Sequence, residues 1–197
     1  MPRTWTVILP LKGGPHAKSR LHAPTGLARA IALDCLTSVL AASTVARVLV
    51  VTPDAGLGAE AVSLSAQVVE EPAHGGLNGA VAAGAAVAQG ATAVLLGDLP
   101  ALRPGDLDAA LAACAAHPLA FVPDADGEGT VLLAGRRPDA LVPRFGADSA
   151  AAHRAVGAVE LALDLPGLRR DVDTPADLDA AARLGLGPRT REALAGQ

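Results

Sequence analysis

The chain has 197 residues, enough for one substantial hydrophobic core and short for two. Apolar residues make up 51 % and aromatic ones only 2 %, so the core must be built from Ala, Val and Leu. Sixteen basic against 20 acidic residues give a formal net charge of -4, which argues against a general nucleic-acid binder with its extended positive surface.

The chain opens with an apolar run at 6–9, inside a predicted strand over 5–10. The run empties into a loop holding Lys12, Gly13-Gly14, Lys18 and Arg20. A helix is predicted over 27–42, where Leu27, Ile31, Leu36 and Leu40 define an apolar side and Arg29 and Asp34 are among the polar positions. Strand-like runs follow at 47–52, 67–70, 92–96 and 119–122. The Ala-rich run 79–93, broken by Gly84, Gln89 and Gly90, reads as a soluble helix and turn. In 104–116, Pro104 suits a first turn, and Leu107, Leu111 and Cys114 recur at three or four residues. This alternation predicts one α/β domain spanning 1–197, with a mainly parallel sheet.

After residue 123 the rhythm changes. A polar turn, 124–130, leads into Val131-Leu132-Leu133, followed by a loop carrying Arg144-Phe145-Gly146-Ala147-Asp148-Ser149. This stretch reads as an elaboration on the sheet, able to form a second wall of a cleft. A late helix is expected at Thr174-Pro175-Ala176-Asp177, where Thr174 can cap, Pro175 fits the first turn and Asp177 completes a capping-box pattern. The tail from Gly185 reads as a turn plus a short, weakly held helix. Cys35 and Cys114 lack CxxC partners and are expected to be buried free thiols. No charged start precedes a long apolar segment, so neither a signal peptide nor a membrane span is expected, and the cytoplasm is the expected location.

Lys12 and Lys18 can neutralise triphosphate charge, and the paired glycines let backbone approach a ligand. Arg20 can fork onto phosphate or anchor the loop to a carboxylate. The Walker spacing is absent, and an ordinary solvated basic loop is the plain alternative. Asp98, in Gly97-Asp98-Leu99-Pro100, sits where a strand meets a loop, the edge that ligands favour in open α/β sheets. Asp173 offers a second carboxylate before a helix. If the fold unites Asp98 and Asp173 they form a magnesium site; otherwise one is a turn residue and the other serves helix electrostatics. Asn78, after a glycine-rich turn, can bond a base or ribose, or simply cap that turn. Thr130, Gly146 and Ser149 can bind a small acidic co-substrate, with Arg144, His153, Arg154 and Arg169 as nearby cations. Asp148-Ser149 equally reads as a helix start. The five histidines show no ligand spacing, and no HExxH or GxSxG occurs.

Taken in order, these motifs resemble the guanylyltransferases that make the phosphoenolpyruvyl or phospholactyl guanosine intermediate of coenzyme F-420 biosynthesis. The resemblance rests on Pro10-Leu11-Lys12 with Ala17-Lys18-Ser19-Arg20-Leu21, Gly76-Leu77-Asn78, Gly97-Asp98-Leu99-Pro100 and Gly129-Thr130. Phe145-Gly146-Ala147-Asp148-Ser149 with His153-Arg154, and Arg170-Asp171-Val172-Asp173-Thr174-Pro175, complete it. It implies a three-layer Rossmann-like nucleotidyltransferase fold with a mixed, mostly parallel sheet. It also implies GTP as a substrate and Mg2+ held by Asp98 and Asp173, with Lys12, Lys18, Arg20 and Asn78 serving the nucleotide. Thr130, Gly146 and Ser149 correspond to the family's phosphoenolpyruvate-binding residues. The implied catalytic set is Lys12, Lys18, Asp98 and Asp173, and the implied partners are small molecules, with handover of the labile product to the next enzyme of the pathway. The alternatives are a 2-phospho-L-lactate guanylyltransferase, a molybdenum-cofactor nucleotidyltransferase, or a nucleotide-binding regulator without catalysis.

Overall fold

The computed structural model describes residues 4–11 and 26–196. Lys12, Lys18 and Arg20 lie outside the described residues. The elements are β1 (Trp5–Pro10), α1 (Leu27–Ala41), β2 (Val45–Thr52), α2 (Ala55–Ser63), β3 (Gln67–Glu70), α3 (Gly76–Val87) and β4 (Ala91–Leu95). They continue as α4 (Pro104–Cys114), β5 (Leu119–Pro123), β6 (Thr130–Gly135), α5 (Ser149–Ala155), β7 (Val159–Glu160), α6 (Pro166–Arg169), α7 (Pro175–Leu184) and α8 (Pro188–Ala195).

Among the described residues the strands form one sheet in the order β3-β2-β1-β4-β6-β5-β7. The β1–β2, β1–β4, β2–β3 and β5–β7 pairs are parallel; β6 runs antiparallel between β4 and β5. The expected mixed, mostly parallel sheet is therefore present. Chain order leaves β1 first toward β2 and then toward β4, so the topological switch lies between β1 and β4. Loops leaving the C-terminal ends of those two strands flank a natural ligand crevice.

The central strands are buried on both faces, and alternating residues of β1 supply both cores. Val7 and Leu9 join Leu33, Leu36, Val39, Leu57, Leu107 and Leu111 on the side covered by α1, α2 and α4. Ile8 joins Val81, Phe121, Leu133, Phe145 and Ala150 on the side covered by α3 and α5. With so few aromatic rings, close helix–sheet approach replaces bulk: a β-carbon at Gly84 would lie 2.6 Å from Ile8 Cγ2. Both cysteines are buried and free, as expected.

The Thr174 capping box forms as its sequence predicts. The weakly held tail does not survive. Helix α8 docks on α1, where Asp34 is only 4 % exposed and accepts hydrogen bonds from the Thr190 N–H (2.8 Å), the Thr190 hydroxyl (2.7 Å) and the Arg189 N–H (3.2 Å). Asp34 reads as a polar position of α1; its partners lie at the far end of the chain, so local sequence gives no sign of them. Helix α2 was not foreseen either, because Gly56 and Gly58 obscure it, yet Asp54 caps it through the Leu57 N–H at 2.9 Å. Among the described residues, no helix is long and apolar enough to cross a membrane.

Candidate active site

Strand β4 ends at Leu95, and the Leu96 N–H donates to the Val131 carbonyl at 3.0 Å, so the chain stays against β6 as it enters Gly97-Asp98. Gly97 also lies under the end of β1: a β-carbon there would overlap the side chain of Leu11. Only glycine lets those two strand ends approach this closely. Asp98 therefore stands at the switch point, half-buried, with one carboxylate oxygen fully enclosed.

The segment before α7 comes to the same place. The buried Val172 donates its N–H to the Asp98 carbonyl at 3.1 Å, which brings Asp171 and the exposed Asp173 beside Asp98. The electrostatics agree. Burial pushes the Asp171 carboxyl up to about 7, helped by the negative charges of Asp98, Asp124 and Asp173. Burial, followed by the Asp98 charge, also drives the Cys35 thiol well upward, so it stays protonated beneath the site. The Val172 bond thus holds the segment carrying Asp171 and Asp173 against the strand end that carries Asp98. Sequence reasoning overlooked Asp171, although its place two residues before Asp173 was the available signal.

A concentration of carboxylates at a loop edge suits a hard, oxygen-preferring divalent cation. Among the described residues no group of three or more His, Cys, Asp or Glu is placed to hold a metal ion. Such an edge suits a cation whose remaining ligands would be water and substrate oxygens.

The second wall joins this edge through the β5–β6 turn. Asp124 accepts the N–H groups of Glu128 (3.0 Å) and Gly129 (2.7 Å), which folds the turn. The Ala125 N–H then bonds the Arg169 carbonyl at 2.8 Å, and the Ala150 N–H at the start of α5 bonds the Glu128 carbonyl at 3.0 Å. One turn therefore links the acidic segment on one side to Ser149 and its loop on the other. Thr130 begins β6, buried, and Ser149 begins α5, also buried. Gly146 lies in the connecting loop at φ 142°, a conformation that side-chain-bearing residues rarely adopt.

Asn78 closes the wall against α3. Its Nδ2 donates to the Phe145 carbonyl and its Oδ1 accepts the Phe145 N–H, both at 2.9 Å. This pair of hydrogen bonds to the backbone of one residue uses half of the amide's capacity and ties the glycine turn at 75–76 to the 144–149 loop.

The cations expected around the wall are differently employed. Arg169 spreads its guanidinium over the carbonyls of Pro123, Asp124 and Leu163. Arg154 pairs with Glu160, and the exposed Arg144 donates to the Pro143 carbonyl. His153 is no cation: it is wholly buried, and burial pushes its pKa down to about 4, with the Arg144 charge acting the same way against the Ser149 carbonyl.

The MobA-like NTP transferase domain family matches residues 27–158. A phosphoenolpyruvate guanylyltransferase from Salinispora arenicola is 51 % identical, covering 96 % of this chain and 93 % of its own. The chain belongs to this guanylyltransferase family. As a guanylyltransferase-family member it is a nucleotidyltransferase enzyme, and its architecture agrees. A nucleotidyl transferase from Methanothermobacter superposes with a TM-score of 0.64 at 20 % identity, covering 92 % of this chain and 97 % of its own. A Mycobacterium tuberculosis protein solved in complex with manganese superposes at 0.58 and 19 % identity, covering 93 % and 100 %. At such identities these two likenesses speak for the fold alone.

Proposed function

We propose that the chain transfers GMP from GTP to phosphoenolpyruvate, giving enolpyruvoyl-2-diphospho-5′-guanosine and diphosphate in coenzyme F-420 biosynthesis. The observation that carries this reading is the bond from the Val172 N–H to the Asp98 carbonyl, which sets the segment bearing Asp173 against Asp98 at the switch point. The choice of phosphoenolpyruvate is supported by the name of the Salinispora arenicola relative. Both substrates are polyanions of central metabolism, which suits a cytoplasmic enzyme.

In this reading a phosphate oxygen of phosphoenolpyruvate attacks the α-phosphorus of GTP in line. One P–O bond forms, the bond to the β-phosphate bridge breaks, and diphosphate leaves. The nucleophile is already anionic at neutral pH, so no side chain need act as general base. The harder task is holding two polyanions together, and here positioning and electrostatics dominate. Asp98 and Asp173 would hold Mg2+, which when bound neutralises phosphate charge and stabilises the charge that develops on the transferring group. Lys12, Lys18 and Arg20 are assigned to the triphosphate; Leu11, the residue before Lys12, packs on Gly97 beside Asp98. Asn78 keeps one amide hydrogen and one lone pair for GTP after its bonds to Phe145. Thr130, Gly146 and Ser149 receive the acidic co-substrate, whose product would pass to the next enzyme of the pathway.

The test is diphosphate release by the purified chain, crossing GTP, ATP and CTP with phosphoenolpyruvate and 2-phospho-L-lactate, with and without Mg2+. Release confined to GTP, phosphoenolpyruvate and Mg2+ is expected. Preference for 2-phospho-L-lactate would reassign the co-substrate, and GTP binding without release would remove the catalytic reading.

A further inference from the structure

His153 lies under the acid-binding wall and touches both of its halves. Its Nε2 is 3.0 Å from the Arg144 backbone nitrogen, and its Nδ1 is 2.9 Å from Thr130 Oγ1. A backbone N–H can only donate, so Nε2 must offer its lone pair. The single proton of a neutral imidazole then sits on Nδ1. Facing that proton, the Thr130 hydroxyl can only accept from the ring, which leaves its own O–H to point elsewhere. Phe121 and Phe145 pack on the imidazole at centroid distances of 5.7 and 5.1 Å and hold it in place.

We propose that His153 is a positioning residue for the acidic co-substrate: it clasps β6 to the 144–149 loop and turns the Thr130 hydroxyl into a donor for an anionic oxygen. This inference rests on the reading of Thr130, Gly146 and Ser149 as the phosphoenolpyruvate wall. The neutral ring suits the role. An imidazolium would set an N–H against the Arg144 N–H and break the clasp, and the lowered basicity of His153 keeps that form away at neutral pH. The Arg144 charge acts in the same direction as burial, and the Ser149 carbonyl opposes both.

The test uses the full chain with His153→Phe, His153→Asn and Thr130→Val, assayed by diphosphate release, with melting temperature recorded for each. His153→Phe keeps the aromatic packing and loses both hydrogen bonds; Asn keeps a donor close to the Nδ1 position. Phenylalanine is expected to raise the KM for phosphoenolpyruvate about tenfold, the loss of one bond to a charged ligand, while the KM for GTP stays within about twofold. Asparagine should recover most of that loss, and in a Thr130→Val background the His153→Phe change should add almost nothing. Equal rises in both KM values, or no rise for phosphoenolpyruvate in His153→Phe, would overturn the clasp. If His153→Phe does not fold, His153→Leu, which also lacks both hydrogen bonds, takes its place in the cycle with Thr130→Val, and independent, additive effects of the two would equally overturn the clasp. A raised phosphoenolpyruvate KM in Thr130→Val with a normal His153→Phe would reject the clasp and leave the wall standing. Absence of any phosphoenolpyruvate-dependent release by the unaltered chain would reject the wall, and the clasp with it.

Discussion

The Val172 N–H and the Asp98 carbonyl, 3.1 Å apart, form the contact that joins two separate acidic segments. A backbone bond depends on no particular side chain, so the junction is robust to sequence change. It holds the two segments through their peptides, whichever side chains flank the bond.

That junction predicts an asymmetric response to mutation. Asp98→Asn or Asp173→Asn should lower kcat/KM by roughly two to three orders of magnitude, the usual scale for losing preorganised charge stabilisation. Folding stability should change by no more than about 1 kcal/mol, because neighbouring carboxylates repel one another in the unliganded site. Diphosphate-release kinetics beside thermal melts check this. Unimpaired turnover in the Asp98 variant would end the assignment.

Adding Mg2+ should raise the melting temperature of the unaltered chain, since a ligand that binds only the folded state stabilises it by mass action. The same titration on a double Asp98→Asn, Asp173→Asn variant should leave the melt unmoved. A rise of equal size in both would place the ion elsewhere.

Gly146→Ala tests backbone rather than volume. A β-carbon would find open space there, but φ 142° disfavours any side chain, a strain on the order of 1–3 kcal/mol. The loop should shift, raising the KM for phosphoenolpyruvate more than that for GTP. Unchanged kinetics would show that this loop shape is irrelevant to binding.

Asp34→Ala removes a buried carboxylate from three donors, with the Arg189 guanidinium 3.6 Å away. A loss of about 3 kcal/mol is expected, because buried donors of α8 are left without an acceptor. Denaturant melts measure it, and limited proteolysis should cut first in the segment from Gly185 onward.

Protonation of His153 should contribute to acid unfolding. Its folded pKa of about 4 lies below its ordinary value of 6.5, so the unfolded chain binds more protons between these values. The His153 contribution is complete above pH 6.5 and is lost as pH falls toward 4, on the order of 3 kcal/mol across that window. Denaturation midpoints followed from pH 7 to 4 should fall less steeply in His153→Phe than in the unaltered chain. Parallel slopes would show that the ring titrates normally.

Local pattern was most informative where neighbouring residues decide the outcome. The helix predicted over 27–42 spans Leu27–Ala41, and the strand predicted over 67–70 spans Gln67–Glu70. The capping box at Thr174 closes because all its parts lie within four residues. The motifs carrying Asp98, Asp173, Thr130 and Ser149 were equally visible, since each sits at a strand or helix end marked by its own Gly, Pro or cap.

What the sequence alone determined, then, was an α/β nucleotidyltransferase fold and the identities of the residues to watch, because apolar periodicity and turn chemistry are short-range properties. Tertiary structure decided which of them meet and in what state. Asp98 meets the segment that carries Asp173 only because β4 lies next to β1 and the segment before α7 returns to that edge. Asp34 became an anchor rather than a surface charge because α8 folds back over it. His153 became neutral rather than cationic because two aromatic rings and a backbone N–H enclose it. Burial and long-range hydrogen bonding set those outcomes, and both depend on how distant segments are brought together in space.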